Sequence, residues 1–397
     1  MIKFLLNKQV TIAGKKVSII FLLWFLAAIV AASLEMARGK ESINNYLIFE
    51  NVYTHVRLQQ NLYAAYPNLY FDTNHYGPLF SVLIAPFALL PLYLGCLLWC
   101  ICNAAILLYA INQLSLSERQ KNTVLLIALI EMTTALHNVQ FNPMLTAWIL
   151  LSFTLVKKEK DFWATLFIAA GFLVKIYGIA GLILFLFSKN KIKFVVSFCF
   201  WLIVLFCLPM LISSYDFIIQ SYKDWFNSLV QKNGTNNIIY EEGNMQDISV
   251  MGLIRRPFKW HQFQNIWVMA PAAVSIMLPA FRFAKYKNLM YQLTYISVVL
   301  LSIVLFSSSA ESATYIIAVT GFAIWYVIQE KRNNWLTALL IFVLVLTSIS
   351  ATDLFPRFLY KSFVRPYALK ALPCFIAWMV MIYQLLMNQF NEQEKKL

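Results

Sequence analysis

Glu50, His55, Asp72 and His75 fall within one polar, aromatic-rich stretch, NNYLIFENVYTHVRLQQNLYAAYPNLYFDTNHYGP, residues 44–78. A carboxylate or a neutral imidazole can take a proton from an attacking hydroxyl. Asp72 and His75 stand three residues apart in FDTNHYGP, close enough for one to orient the other. They are the first candidates for a general base, with Glu50 the next. The bland reading of the pair is that both hold the loop by hydrogen bonds, and that Glu50 is a solvated side chain. Group transfer away from a phosphate also needs cations or donors for the leaving oxygens. His55, Arg57 and Tyr76 of the same stretch are candidates for holding substrate, and so are Gln140, Asn142 and Lys175 further on. Arg255, Arg256 and Glu311 complete the set. Each has a structural reading beside the functional one: Gln140 and Asn142 as turn caps, Lys175 as a snorkelling lysine, and the arginines as interfacial flanks.

The chain that must position these groups is membrane-like. It is 60% hydrophobic and 13% charged, with mean hydropathy +0.66, against about 25% charged residues in soluble domains. Long apolar segments of this kind span bilayers as helices. The net charge of +14 does not indicate nucleic acid, because the basic residues sit in short clusters between apolar runs, the positive-inside pattern. The six cysteines lie in apolar segments without metal-ligand spacing and read as small buried hydrophobes. No Gly-rich phosphate loop and no HExxH or GxSxG motif occurs. Neither a cofactor nor a metal is called for.

Lys3, Lys8, Lys15 and Lys16 precede an apolar run from Val17, read as a retained first helix with a cytoplasmic N-terminus. Further inside markers are Arg119/Lys121, Lys157–Lys160, Lys189/Lys191/Lys193, Arg282/Lys285/Lys287, Lys331/Arg332 and Lys395/Lys396. They leave outside loops at 33–77, 213–262 and 352–369. Thr123–Val156 reads as two helices around the polar turn HNVQFNP. Asp161–Phe187 spans about 40 Å as helix, too short for two full crossings, and reads as two broken segments meeting near Lys175. Pro78–Leu90 reads as a re-entrant or interfacial element before a true span at 92–111. Further spans are expected near 194–212, 263–281, 289–307, 314–328, 335–351 and 370–389. The expectation is an all-α polytopic membrane protein, one membrane domain over 1–397, with about 12 transmembrane helices. Glu131, inside an apolar helix, is expected to line a site or to pair with a helix hydroxyl or His137. Asn233-Gly234-Thr235 is a glycosylation sequon, a weak signal.

The order of elements is more specific than any one of them. NLY and HYGP lead into PLFSVLIAPFALLP and LLW; QFNP, AAGFLVKIYG and a loop ending in SVMGLIRR follow. Over roughly residues 17–330 this resembles the polyprenol-phosphate-mannose-dependent membrane glycosyltransferases of glycosyltransferase family 87. The resemblance implies a C-type glycosyltransferase bundle with its active site at the outer membrane face. It implies a polyprenyl-phosphate-sugar donor, a glycan or glycolipid acceptor and membrane lipids as partners, with no nucleic acid. The family's loop acid opens a D-x-x-x-Y pattern, and the matching positions here are Asn45 to Phe49. Asparagine is not a general base, so either another group has taken over, or the sugar chemistry differs, or the chain no longer catalyses transfer; for an active chain the base is expected elsewhere, first on the loop and then at Glu131 or Glu311. The expected activity is hexosyl transfer, taken as mannosyl transfer, on the periplasmic side of a bacterial inner membrane. The competing reading is a transporter or flippase of lipid-linked saccharide. Transporters of that kind tend to carry paired repeats with broken helices, and no such repeat stands out here.

Overall fold

The computed structural model describes residues 8–12, 14–236, 246–330, 333–388 and 390. Lys3, Lys331/Arg332, Lys395/Lys396 and the 237–245 part of the second loop lie outside the described residues. The chain is overwhelmingly helical, as expected of a polytopic membrane protein. One local departure precedes the first helix. Strands β1 (Gln9–Ile12) and β2 (Lys15–Ser18) pair antiparallel, Gln9 opposite Ser18, with Gly14 at φ 77° between them. The Val, Thr and Ile content of this segment favours strand.

The chain divides into two compact units. One comprises residues 1–24, 114–135 and 233–397; the other comprises 25–113 and 136–232. Helices in chain order are α1 (Ile19–Ala37), α2 (Asn44–Leu58), α3 (Phe80–Ala88), α4 (Leu92–Asn112) and α5 (Glu118–His137). Next come α6 (Asn142–Lys157), α7 (Asp161–Val174), a 3-10 segment Ile176–Phe187, α8 (Lys191–Cys207) and α9 (Tyr215–Asn236). After these come α10 (Val250–Arg255), α11 (Ile266–Met277), α12 (Leu289–Leu305), α13 (Tyr315–Val327), α14 (Asn334–Phe342) and α15 (Ala371–Met387).

In the 25–113/136–232 unit, α6 packs against α4 and α7, and α7 against α8. Nearly every residue of α6 is buried, which is why its sequence is apolar all round. In the other unit α12 packs on α13 and α15, and α13 is buried along its whole length. Ile19–Ala37, Leu92–Asn112, Lys191–Leu211 and Asn334–Ala351 are long and apolar enough to cross a membrane. Shorter apolar helices occupy the remaining stretches read as spans from residue 161 onward.

Both irregular regions are visible. Helix α7 stops at Lys175, whose backbone is extended (φ −145°, ψ 115°), and the chain resumes as a 3-10 segment. Gly171 and Gly178 make this break possible, since a Cβ on Gly178 would lie 2.1 Å from the Gly171 carbonyl carbon. Helix α3 has nine residues, about 14 Å of helix, half of a bilayer's hydrocarbon thickness. The stretches read as outside loops hold more helix than their polarity suggests. Helix α2 fills a third of the first, and α9 fills almost half of the second.

Candidate active site

Helix α2 buries Phe49, Val52 and Val56 on one side, an i, i+3, i+7 stripe, and its C-cap Gln59 is left-handed. The chain from 60 to 79 is then fastened at several points. Asn44 is a two-point clamp, donating to the Phe71 carbonyl (2.6 Å) and accepting from the Phe71 amide (2.9 Å). Tyr63 donates to the Tyr76 carbonyl (3.1 Å). The Asn74 side chain accepts from the Tyr76 amide (3.0 Å) and donates to the Tyr76 carbonyl (3.1 Å). Gly77 closes the fastening, its amide donating to the carbonyl of Val174 (3.0 Å) at the end of α7. No other residue fits there, because a Cβ at Gly77 would sit 2.0 Å from the Leu173 carbonyl oxygen.

This docking lays Asp72, His75 and Tyr76 beside the broken helix. Asp72 has φ 76° and accepts from the Thr73 amide through its own carboxylate (2.8 Å). Its Oδ1 lies 3.9 Å from His75 Nε2, an ion-pair separation rather than a hydrogen bond. Nε2 is buried and makes no hydrogen bond in this arrangement. The other ring nitrogen, Nδ1, is 3.4 Å from Ser228 Oγ, and the His75 carbonyl accepts from Trp225 Nε1 (3.0 Å). Burial pushes the imidazole down to about 4, with Lys232 and Lys175 pushing the same way and Asp72 pulling against them. His75 is therefore neutral at pH 7, the state that accepts a proton.

Tyr76 donates to Gln140 Oε1 (3.2 Å), and Lys175 Nζ donates to the buried Asn142 Oδ1 (2.8 Å). The Lys175 ammonium lies 5.5 Å from the Tyr76 ring centre and 5.3 Å from that of Tyr177, cation–π range. Six of the expected residues thus converge: Asp72, His75, Tyr76, Gln140, Asn142 and Lys175. The others have separate surroundings. Glu50 is half-buried on α2, and burial raises its carboxyl against the pull of Lys40. Asn45 donates to the Asn138 carbonyl (2.7 Å), fastening α2 to the α5–α6 turn. His55 is buried, its ring 4.2 Å from that of Tyr66, and burial holds its imidazole below the usual range. Arg57 is exposed, over the Tyr53 ring.

Arg255, Arg256 and Glu311 belong to the other unit. Arg255 is 1% exposed, ion-paired with Asp247 and hydrogen-bonded to Asn265. Arg256 donates to the carbonyls of Arg365 (2.8 Å) and Gln246. Glu311 caps the turn that opens α13, its carboxylate accepting from the Thr314 amide while Thr314 Oγ1 accepts from its own. As placed, all three hold loops and helix ends. Of the partners expected for Glu131, His137 is not the one it has. Its fully buried carboxylate pairs with Lys370 Nζ at 2.9 Å, and His137 pairs instead with Glu35 at 3.1 Å.

Sequence reading missed Trp225, Ser228 and Lys232 of α9. Their i, i+3, i+7 spacing marks one face of a helix, but nothing in the pattern ties that face to a loop 150 residues earlier.

No curated protein matches the chain. The crystal structure of ArnT from Cupriavidus metallidurans bound to undecaprenyl phosphate is similar at 12% identity, covering 92% of this chain and 77% of that one, with a TM-score of 0.38. Residues 74–350 match the sequence profile described as Glycosyltransferase family 87. That segment runs from the docked HYGP turn through the broken helix and most of the apolar helices. A helical membrane chain matched over most of its length in this way is a membrane glycosyltransferase, and it belongs to glycosyltransferase family 87.

Proposed function

We propose that this chain moves a hexose, taken as mannose, from a polyprenyl-phosphate donor to a hydroxyl of a glycan or glycolipid acceptor. The site is the docked first loop, on the periplasmic side of a bacterial inner membrane, within the C-type bundle that the family implies. The observation that carries the reading is the convergence of Asp72, His75 and Tyr76 on Lys175, Asn142 and Gln140. His75 Nε2 takes the proton of the acceptor hydroxyl. The freed oxygen bonds to the sugar's anomeric carbon as that carbon's bond to phosphate oxygen breaks. The electron pair leaves on the polyprenyl phosphate, where the Lys175 ammonium meets it. Asp72, 3.9 Å away, stabilises the imidazolium as it forms. Tyr76, Gln140 and Asn142 offer polar atoms to the sugar.

The test is transfer from polyprenyl-phosphate-mannose in membranes carrying the protein. Loss of a general base costs about 10²–10⁴ in rate, so His75→Ala falls by that factor and Asp72→Asn falls less. Full activity in His75→Ala together with loss in Glu50→Gln would move the base to Glu50. That second reading has its own support, a half-buried carboxyl that burial raises above the usual carboxylate range against the pull of Lys40.

A further inference from the structure

We propose that Lys232 of α9 is the second cation of an anion subsite, shared with Lys175 around His75, that takes the phosphate of the donor. The proposal rests on the reading of the loop as the transfer site. Its basis is the face of α9 turned to the docked loop. Trp225 Nε1 donates to the His75 carbonyl at 3.0 Å, and Ser228 Oγ lies 3.4 Å from His75 Nδ1. Lys232 is one helical turn beyond Ser228 on that same face. Across the loop, Lys175 projects from the helix break, its ammonium 2.8 Å from Asn142. The charged groups that act on the imidazole from the packed elements are Lys232 of α9, Lys175 of the break and Asp72 of the loop itself. Two of the three are cations, an arrangement that disfavours a protonated histidine and favours an anion between them.

The arrangement links binding to basicity. In the free protein burial, together with both ammonium groups, holds His75 weakly basic. A phosphate seated between the lysines offsets their charge and makes the imidazole more basic, while burial still holds it below its ordinary range. The base strengthens when the donor is in place. Ser228, at Nδ1, leaves Nε2 as the nitrogen aimed at the acceptor.

Binding of polyprenyl phosphate, which lacks the sugar, tests the subsite without turnover. Wild type, Lys232→Gln, Lys232→Arg and Lys175→Gln are purified in detergent and titrated with polyprenyl phosphate and with polyprenol. Lys232→Gln is expected to weaken polyprenyl phosphate about tenfold while leaving polyprenol unchanged, and Lys232→Arg to recover most of the loss. In transfer assays the acid limb of kcat/KM moves to higher pH in Lys232→Gln, because a positive charge that opposed protonation of His75 is gone. Wild-type affinity for polyprenyl phosphate in Lys232→Gln overturns the proposal, as does equal weakening toward polyprenol. Phosphate binding lost in the variant but no sugar transfer in any form keeps the subsite and removes the transferase chemistry assigned to the loop.

Discussion

Gly77→Ala separates a docked loop from a merely adjacent one. The added methyl would lie 2.0 Å from the Leu173 carbonyl oxygen and 3.1 Å from the Trp225 ring. Ordinary contact needs about 1.4 Å more. Neither neighbour yields easily, one being the backbone at the end of α7 and the other a ring held by its bond to the His75 carbonyl. The turn must therefore withdraw. A retreat of that size breaks the 3.0 Å bond from the Gly77 amide to Val174 and leaves a buried donor unpaired, at about 1–3 kcal/mol. His75 is two residues away and moves with it. Displacing a reacting group by about 1 Å costs about 10²-fold in rate. Gly77→Ala is therefore expected to lose about two orders of magnitude in kcat from polyprenyl-phosphate-mannose, at near-normal amounts in the membrane. Gly234→Ala, where an added Cβ meets nothing within 4 Å, serves as the control with full activity. Protease susceptibility of residues 60–77 should rise in the Gly77 variant. Unchanged kinetics and unchanged cleavage in that variant would refute the docking argument.

The buried Glu131–Lys370 pair predicts a stability effect without a kinetic one. Glu131→Gln leaves a buried ammonium unpaired, about 3–5 kcal/mol, and should lower thermal stability in detergent, whereas Glu131→Gln with Lys370→Met should recover most of it; an unchanged Glu131→Gln protein defeats this account. His75, held at about 4 in the free protein, predicts kcat/KM flat from pH 8 to about 5 and falling below that, since only the neutral ring accepts a proton; a limb near 6.5 means the imidazole has neither the burial nor the cationic surroundings described here. Arg255→Lys should reduce the amount of folded protein more than it raises the donor KM, given its ion pair with Asp247. Reporter fusions at Gln59 and Asn236 should read outside; a cytoplasmic readout at Gln59 removes the periplasmic site.

Much of this architecture is legible from hydropathy. The polar turn at 137–143 follows from the polar residues that interrupt an apolar run, and the interruption at Lys175 and the short element after Pro78 follow from runs of the wrong length for a bilayer. The HYGP turn is legible as a candidate site because acid, imidazole and aromatics crowd beside a membrane segment. Pairings are not legible, since periodicity reports which face of a helix is buried and says nothing of its partner. His75 meets Ser228 across 153 positions, and Glu131 meets Lys370 across 239. The nearer candidate for Glu131, His137, is claimed by Glu35. Arg255 looks available for phosphate in sequence because its counter-charge, Asp247, lies in an irregular segment with no periodic signal.

The bond from Gly77 to Val174 also sets an order of events during synthesis. The loop leaves the ribosome about a hundred residues ahead of the helix end on which it rests, a delay of roughly 5–20 s at 5–20 residues per second. Through that interval Asp72 and His75 have no platform, and α9, which supplies Ser228 and Lys232, follows later still. The groups proposed to be catalytic therefore cannot be organised until most of the bundle has been inserted. A chain stalled or truncated before α7 carries the loop but not the site, so incomplete insertion products are expected to be inert rather than partly active.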